Sequence, residues 1–151
     1  RGDLPGRVIL QTYNPDHYTI GSVVGMDYES FCLSELESRR LLQYPPFSRM
    51  LKFLVTASDE RFAREACFAL AEICRTISIE FGGENHSIAL LGPAPAPLAR
   101  LKGRFRWHIF VKSWTSGSLQ RFTEAVLART HESRELRRAQ VAIDRDPTMN
   151  L

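Results

Sequence analysis

Six cations fall between residues 100 and 121: Arg100, Lys102, Arg104, Arg106, Lys112 and Arg121. No Asp or Glu occurs from Asn85 to Thr123 to offset them. The whole 151-residue chain carries a formal net charge of only +3, so the positive charge is concentrated in this window. Phe105, Trp107, His108, Phe110 and Trp114 interleave the cations. Guanidinium and ammonium groups pair with phosphate oxygens and rings stack on bases, so the chemistry offered is non-covalent contact with nucleic acid. Arg100, Lys102, Arg104, Arg106, His108 and Lys112 form the candidate DNA-binding set. An acidic peptide would satisfy the same guanidiniums with a tryptophan as anchor, and for that alternative the docking set is Trp114, Gln120 and Arg121. A solvated strand face would carry the same residues. Charge does not separate the three, because phosphates and carboxylates both take arginine.

Bond-making chemistry is poorly supplied. Asp16 and His17 are adjacent in a turn signalled by Asn14-Pro15, with no nucleophile or second carboxylate near them in sequence. No Arg and Asn converge on one loop, as a small hydrolase of this size would need. The cysteines, Cys32, Cys67 and Cys74, are odd in number and form no CxxC pair, which argues against a disulfide framework and a zinc site. Cys67 and Cys74 lie seven apart on a predicted helix and read as buried small hydrophobes in a reducing cytoplasm. No phosphate loop of the form GxxxxGK[ST] is present. No catalytic residue, metal or cofactor is expected in this chain. Its 44% hydrophobic and 25% charged residues describe an ordinary soluble globular protein, with no apolar run for a membrane span and no leader. The first residue is Arg rather than Met, which reads as processing or as a piece of something longer.

These residues must be held by strands and helices. Residues 104–112 alternate, with Phe105, Trp107, Ile109 and Val111 on one side and Arg104, Arg106, His108, Phe110 and Lys112 on the other, the period of a half-buried strand. Trp107 is therefore expected in the core and Arg106 on the surface. The preceding Gly92-Pro93-Ala94-Pro95-Ala96-Pro97 is expected to be a stiff, extended, solvated loop. Met50–Thr56 and Gln140–Asp144 read as strands, as does Ile88–Leu91. Ser58-Asp59-Glu60 starts a helix with Phe62, Ala66, Ala69, Leu70, Ile73 and Ile77 as its stripe, stopped by Gly82-Gly83. Thr115 or Ser116 caps a second with Leu119, Phe122, Ala125 and Val126 inward. From residue 48 the order is β-α-β-β-α-β, the split, ferredoxin-like α+β plan. Before it, Arg7–Thr12 reads as a strand and Asp27–Leu42 as a helix. The Tyr44-Pro45-Pro46-Phe47 run sets a boundary between domains at 1–45 and 46–151.

Several short motifs recur in order: Gly6-x-Val8-x-x-Gln11-Thr12, Pro15-x-His17, Tyr28-x-x-Phe31, Glu35, Arg39, Tyr44-Pro45-Pro46-Phe47, Gly92-Pro93-x-Pro95-x-Pro97, Lys102-Gly103-x-Phe105-Arg106-Trp107 and Ile143-Asp144-x-Asp146-Pro147. Together they resemble the C-terminal end of the primosomal protein N′ (PriA) family of bacterial replication-restart DNA helicases. The resemblance implies a tail of a RecA-like helicase lobe up to about Pro45, then a C-terminal α/β domain similar to a small-subunit ribosomal protein. It implies a parent that unwinds DNA 3′ to 5′ with ATP and magnesium, carries structural zinc, works in the bacterial cytoplasm, and engages single-stranded DNA-binding protein and other primosome proteins. The motifs for ATP and zinc are not in this chain, so it is expected to bind DNA, forked or single-stranded, without hydrolysing ATP.

Overall fold

The sheet is organised on the strand Arg49–Ala57 (β1), whose sequence places Leu51, Phe53 and Val55 on one face, all buried. Each such side chain contributes roughly 1.5–3 kcal/mol when fully buried. The protein is described by a computed structural model covering residues 6–81 and 88–147. Arg104–Ser113 (β3) runs antiparallel to β1 in unbroken register, from Arg49 opposite Ser113 to Ala57 opposite Phe105. Gln140–Arg145 (β4) pairs with the other edge of β1, and Ile88–Leu101 (β2) pairs with β3. The result is a four-stranded antiparallel sheet in the order β2-β3-β1-β4.

Two helices cover one face of this sheet. Glu60–Glu80 (α3) is capped by Asp59, whose carboxylate accepts from the amides of Arg61 and Phe62 at 2.8 and 3.3 Å. Ser116–Thr130 (α4) is capped by Thr115, accepting from the Ser118 amide at 3.2 Å. Both caps fall where short polar side chains precede an apolar stripe. The core joins Leu51, Phe53, Val55, Ile109 and Val111 of the sheet to Leu70, Ile77, Phe122 and Val126 of the helices. Cys67 and Cys74 lie in it, and burial pushes both thiols up to about 12. Trp107 is half-buried against this core, with its ring 6.0 Å from that of Phe68. The glycine stop at 82–83 lies outside the described residues.

Chain contacts divide the protein into two units, Arg1–Ser38 and Arg39–Leu151. The first contains the helix Tyr18–Gly25 (α1), absent from the sequence reading, and most of Tyr28–Leu41 (α2). Asp27 accepts from the Ser30 amide at 3.0 Å and starts α2 as expected. The strand expected at Arg7–Thr12 is not formed: residues 7–12 join no strand among the described residues and are exposed. The physical reason is that a continuously apolar strand needs neighbours on both edges and cover on both faces, and no such neighbours occur among the described residues.

The proline run also differs from expectation. It is not a solvated loop but part of β2, and Ala96 within it is buried. The general rule against proline in strands applies to central ones; β2 is an edge, where a missing amide hydrogen faces no partner. Pairing with β3 slips between Leu91 and Ala94 and again between Pro95 and Arg100. At the first slip Gly92 has φ +104°, and a Cβ there would sit 2.9 Å from the carbonyl oxygen of His108. Gly103 has φ +77° but open space around it. Gly92→Ala is therefore expected to destabilise the fold by ~1–3 kcal/mol, and Gly103→Asn by less, because asparagine tolerates that backbone region. Paired denaturant titrations measure the difference; equal losses would show that the backbone contact at Gly92 does not matter.

Candidate nucleic-acid interface

The candidate cations lie on or beside β3, and the fold sorts them into three groups. Leu101 pairs with Arg104, leaving Lys102 and Gly103 as a two-residue turn with φ of +49° and +77°. Two positive φ values are the signature of the type I′ turn, whose twist matches that of the flanking strands. The β2–β3 hairpin thus ends in a tight tip that exposes Arg100, Lys102 and Arg104. Among the described residues Lys102 makes no ion pair or hydrogen bond. Arg100 lies over the Phe105 ring at 5.0 Å, and Arg104 donates to the Thr56 carbonyl at 3.1 Å. Each of these two keeps other N–H groups for a ligand, since a guanidinium has five.

Arg106 and His108 are placed differently. Arg106 is half-buried and donates to the Leu98 carbonyl at 3.2 Å, tying β3 to the irregular part of β2. The expected contrast of a buried Trp107 and a purely surface Arg106 is thus softened, both being half-buried. His108 packs its ring 4.8 Å from that of Phe110. Burial, then the neighbouring Lys52 and Arg106 charges, hold its pKa below the ordinary 6.5. His108 therefore brings a neutral ring at pH 7 rather than a charge.

Lys112 lies at the far end of the strand from the tip. Eight residues separate it from Arg104, about 27 Å at the rise of an antiparallel strand. Its ammonium sits 3.7 Å from the Tyr44 ring centroid and donates to the Leu42 carbonyl at 3.0 Å, and burial lowers its pKa. Its observed work is to brace the chain before β1. Trp114 is half-exposed at the same end, while Gln120 and Arg121 lie exposed on the first turns of α4, where Gln120 donates to Glu124 at 3.0 Å. The structure thus brings Arg100, Lys102 and Arg104 together and leaves Lys112 and the docking set elsewhere.

Two features escape a reading of the sequence alone. Lys52, on the sheet face opposite the helices, is buried and pairs with Asp144 at 3.0 Å. Arg134, Arg137 and Arg138 are exposed near the start of β4, at the sheet end that carries the hairpin tip, because Gln140 is opposite Thr56 and Thr56 opposite Arg106. The run HESRELRR signalled charge at 134–138 but not which sheet end it would join. His17, a weak acid–base candidate, instead accepts from the Thr19 amide at 3.3 Å and caps α1.

Fold and site together define a basic α+β module with three exposed cations on a hairpin tip at one end of an antiparallel sheet. The family model of the primosomal protein N C-terminal domain matches residues 40–148, and the chain belongs to that family. It is 33% identical over 149 residues to the replication restart protein PriA of Bacillus subtilis, covering 99% of this chain and 18% of that protein. It is 35% identical over 112 residues to the protein of the same name from Synechocystis, covering 74% and 13%. The Treponema pallidum protein of that name is 33% identical over 108 residues, covering 72% and 16%. The chain therefore spans less than a fifth of the length of these relatives.

The lowered pKa of His108 carries a stability consequence. A histidine harder to protonate when folded contributes its full stability above the unfolded value, near 6.5, and loses it as pH falls through that value toward the folded one. Wild-type protein should thus lose stability between pH 7.5 and pH 5 more steeply than His108→Gln. Denaturant titrations at both pH values check this; parallel losses would mean that His108 titrates as it does in the unfolded chain.

Proposed function

We propose that this chain is the DNA-contacting C-terminal module of a replication restart protein, a ferredoxin-like α+β domain that grips nucleic acid at the β2–β3 hairpin tip. The observation that carries the reading is the exposure of Arg100, Lys102 and Arg104 together on a tight turn, in a stretch without acids. Relatives named replication restart protein PriA support the setting. In this reading the parent's ATP, magnesium and zinc chemistry belongs to the remainder of the longer protein, and the tip contributes grip at forked or single-stranded DNA. Helix α2 and the chain before it would then be the tail of the neighbouring helicase lobe.

A second reading, docking of an acidic peptide tail such as that of single-stranded DNA-binding protein, rests on Trp114, which is 52% exposed. It is the weaker one: the nearest cation in sequence, Lys112, is already held by Tyr44 and Leu42.

Three phosphate contacts on single-stranded DNA should give a slope of log K against log salt of about −2, at roughly 0.7 per phosphate. Arg104→Gln should flatten that slope by about 0.7 while the fold persists. Fluorescence titration with a labelled oligonucleotide at several salt concentrations measures both. Binding of an acidic peptide with background DNA binding would favour the second reading.

A further inference from the structure

Resting on the reading that the tip contacts nucleic acid, we propose that its substrate is duplex B-form DNA and that the ribbon enters the major groove. The argument starts from where the cations point. Arg104 pairs with Leu101, and Arg100 pairs with Phe105. Successive residues of a strand face opposite ways, so Arg104 and Phe105 lie on opposite faces of the ribbon, and Arg100 shares the face of Phe105. The guanidinium of Arg100 over the Phe105 ring fits that assignment. Lys102 occupies the apex. A single phosphate backbone lying along one face would leave Arg100 or Arg104 turned away. A groove presents a phosphate wall on each side, and this arrangement meets both.

Dimensions support the same answer. The major groove, about 12 Å wide and about 8.5 Å deep, admits a two-stranded β-ribbon, whereas the minor groove, about 6 Å wide, does not. The deep, narrow major groove of A-form RNA is closed to it as well. Beyond Ala57, the last residue of β1, the ribbon continues by one residue pair and its turn. That is a backbone reach of about 7 Å at about 3.4 Å per residue, before the side chain of Lys102. Beside the tip, the chain leaves β1 through exposed Asp59 and Glu60. A flat phosphate surface laid across this sheet end would meet those carboxylates beside Arg134, Arg137 and Arg138, so neighbouring charge does not choose between surface and groove; the opposite faces of Arg100 and Arg104 and the width of the groove do.

The experiment compares the full 151-residue chain with the triple variant Arg100→Gln, Lys102→Asn, Arg104→Gln. Asparagine suits the positive φ at 102, and a thermal melt verifies that the variant folds. Probes are a mixed-sequence DNA duplex, its single strand, and an RNA duplex of equal length, titrated at several salt concentrations. The expected result is DNA duplex binding on the order of ten-fold tighter than either alternative, with a salt slope of about −2.7 for three phosphates at roughly 0.9 each. The triple variant should flatten the slope to near zero, and netropsin in the minor groove should leave wild-type binding unchanged. Single-strand or RNA binding as tight as duplex DNA binding, with slopes still flattened by the variant, overturns the groove assignment and leaves the nucleic-acid reading standing. Displacement by netropsin overturns the choice of groove. No salt-dependent binding to any probe at low salt removes both readings.

Discussion

Proline has no amide hydrogen to give, and that constraint shapes the basic end of this domain. Pro93, Pro95 and Pro97 can lie in a sheet only where one edge is left without a partner, which makes β2 the outer strand and β3 its inner neighbour. The price in regularity is two slips of register. Gly92 absorbs the first by passing close to the His108 carbonyl, an approach that any side chain would block. Arg106 bridges the second by donating to Leu98. With these slips accommodated, the strands meet again in register at Arg100–Phe105 and Leu101–Arg104, as a tight turn requires.

The positive charge of this window is therefore not a single surface. Part of it is structural. Lys112 spends its ammonium on a ring and a carbonyl, and Lys52, buried on the same sheet face, is neutralised by Asp144. A buried ammonium without its carboxylate would be strongly unfavourable, so Asp144 supports the face around His108 and Phe110 as well as β4 itself. The charges at the tip carry no comparable obligation. Lys102 has none among the described residues, and Arg104 and Arg100 each give up only part of their donor capacity. That difference in commitment, rather than the density of lysine and arginine in the sequence, makes the tip the better candidate for contact.

Much of the fold was legible because its signals are local and mutually consistent. The alternation over residues 104–112, the caps at Asp59 and Thr115, and the apolar stripes of α3 and α4 each specify an element without knowledge of its neighbours. What failed depended on neighbours. Arg7–Thr12 has strand composition but finds no strand to pair with among the described residues. The proline segment looks like a loop until β3 is placed beside it. In the candidate site, residue type put Arg100, Lys102 and Arg104 among the candidates, but it could not show that Lys112 would be engaged by Tyr44, sixty-eight residues away in sequence, nor that Arg134, Arg137 and Arg138 would arrive at the same sheet end.

The placement of the tip also separates the proposed binding from stability. Phe105 and Ala57 mark the last level at which three strands run side by side; beyond it the backbone of the ribbon has only its own pairing and turn. Arg100, Lys102 and Arg104 are exposed and touch the rest of the sheet only through the Phe105 ring and Thr56, so changes there are expected to alter charge with small effect on folding. Further along β3, Ile109 and Val111 are fully buried, and a change there is felt throughout the sheet. One strand thus has two regimes along its length: its interior fixes the domain, and its leading end is exposed, so the contact with phosphates proposed for it would ask no rearrangement of the core.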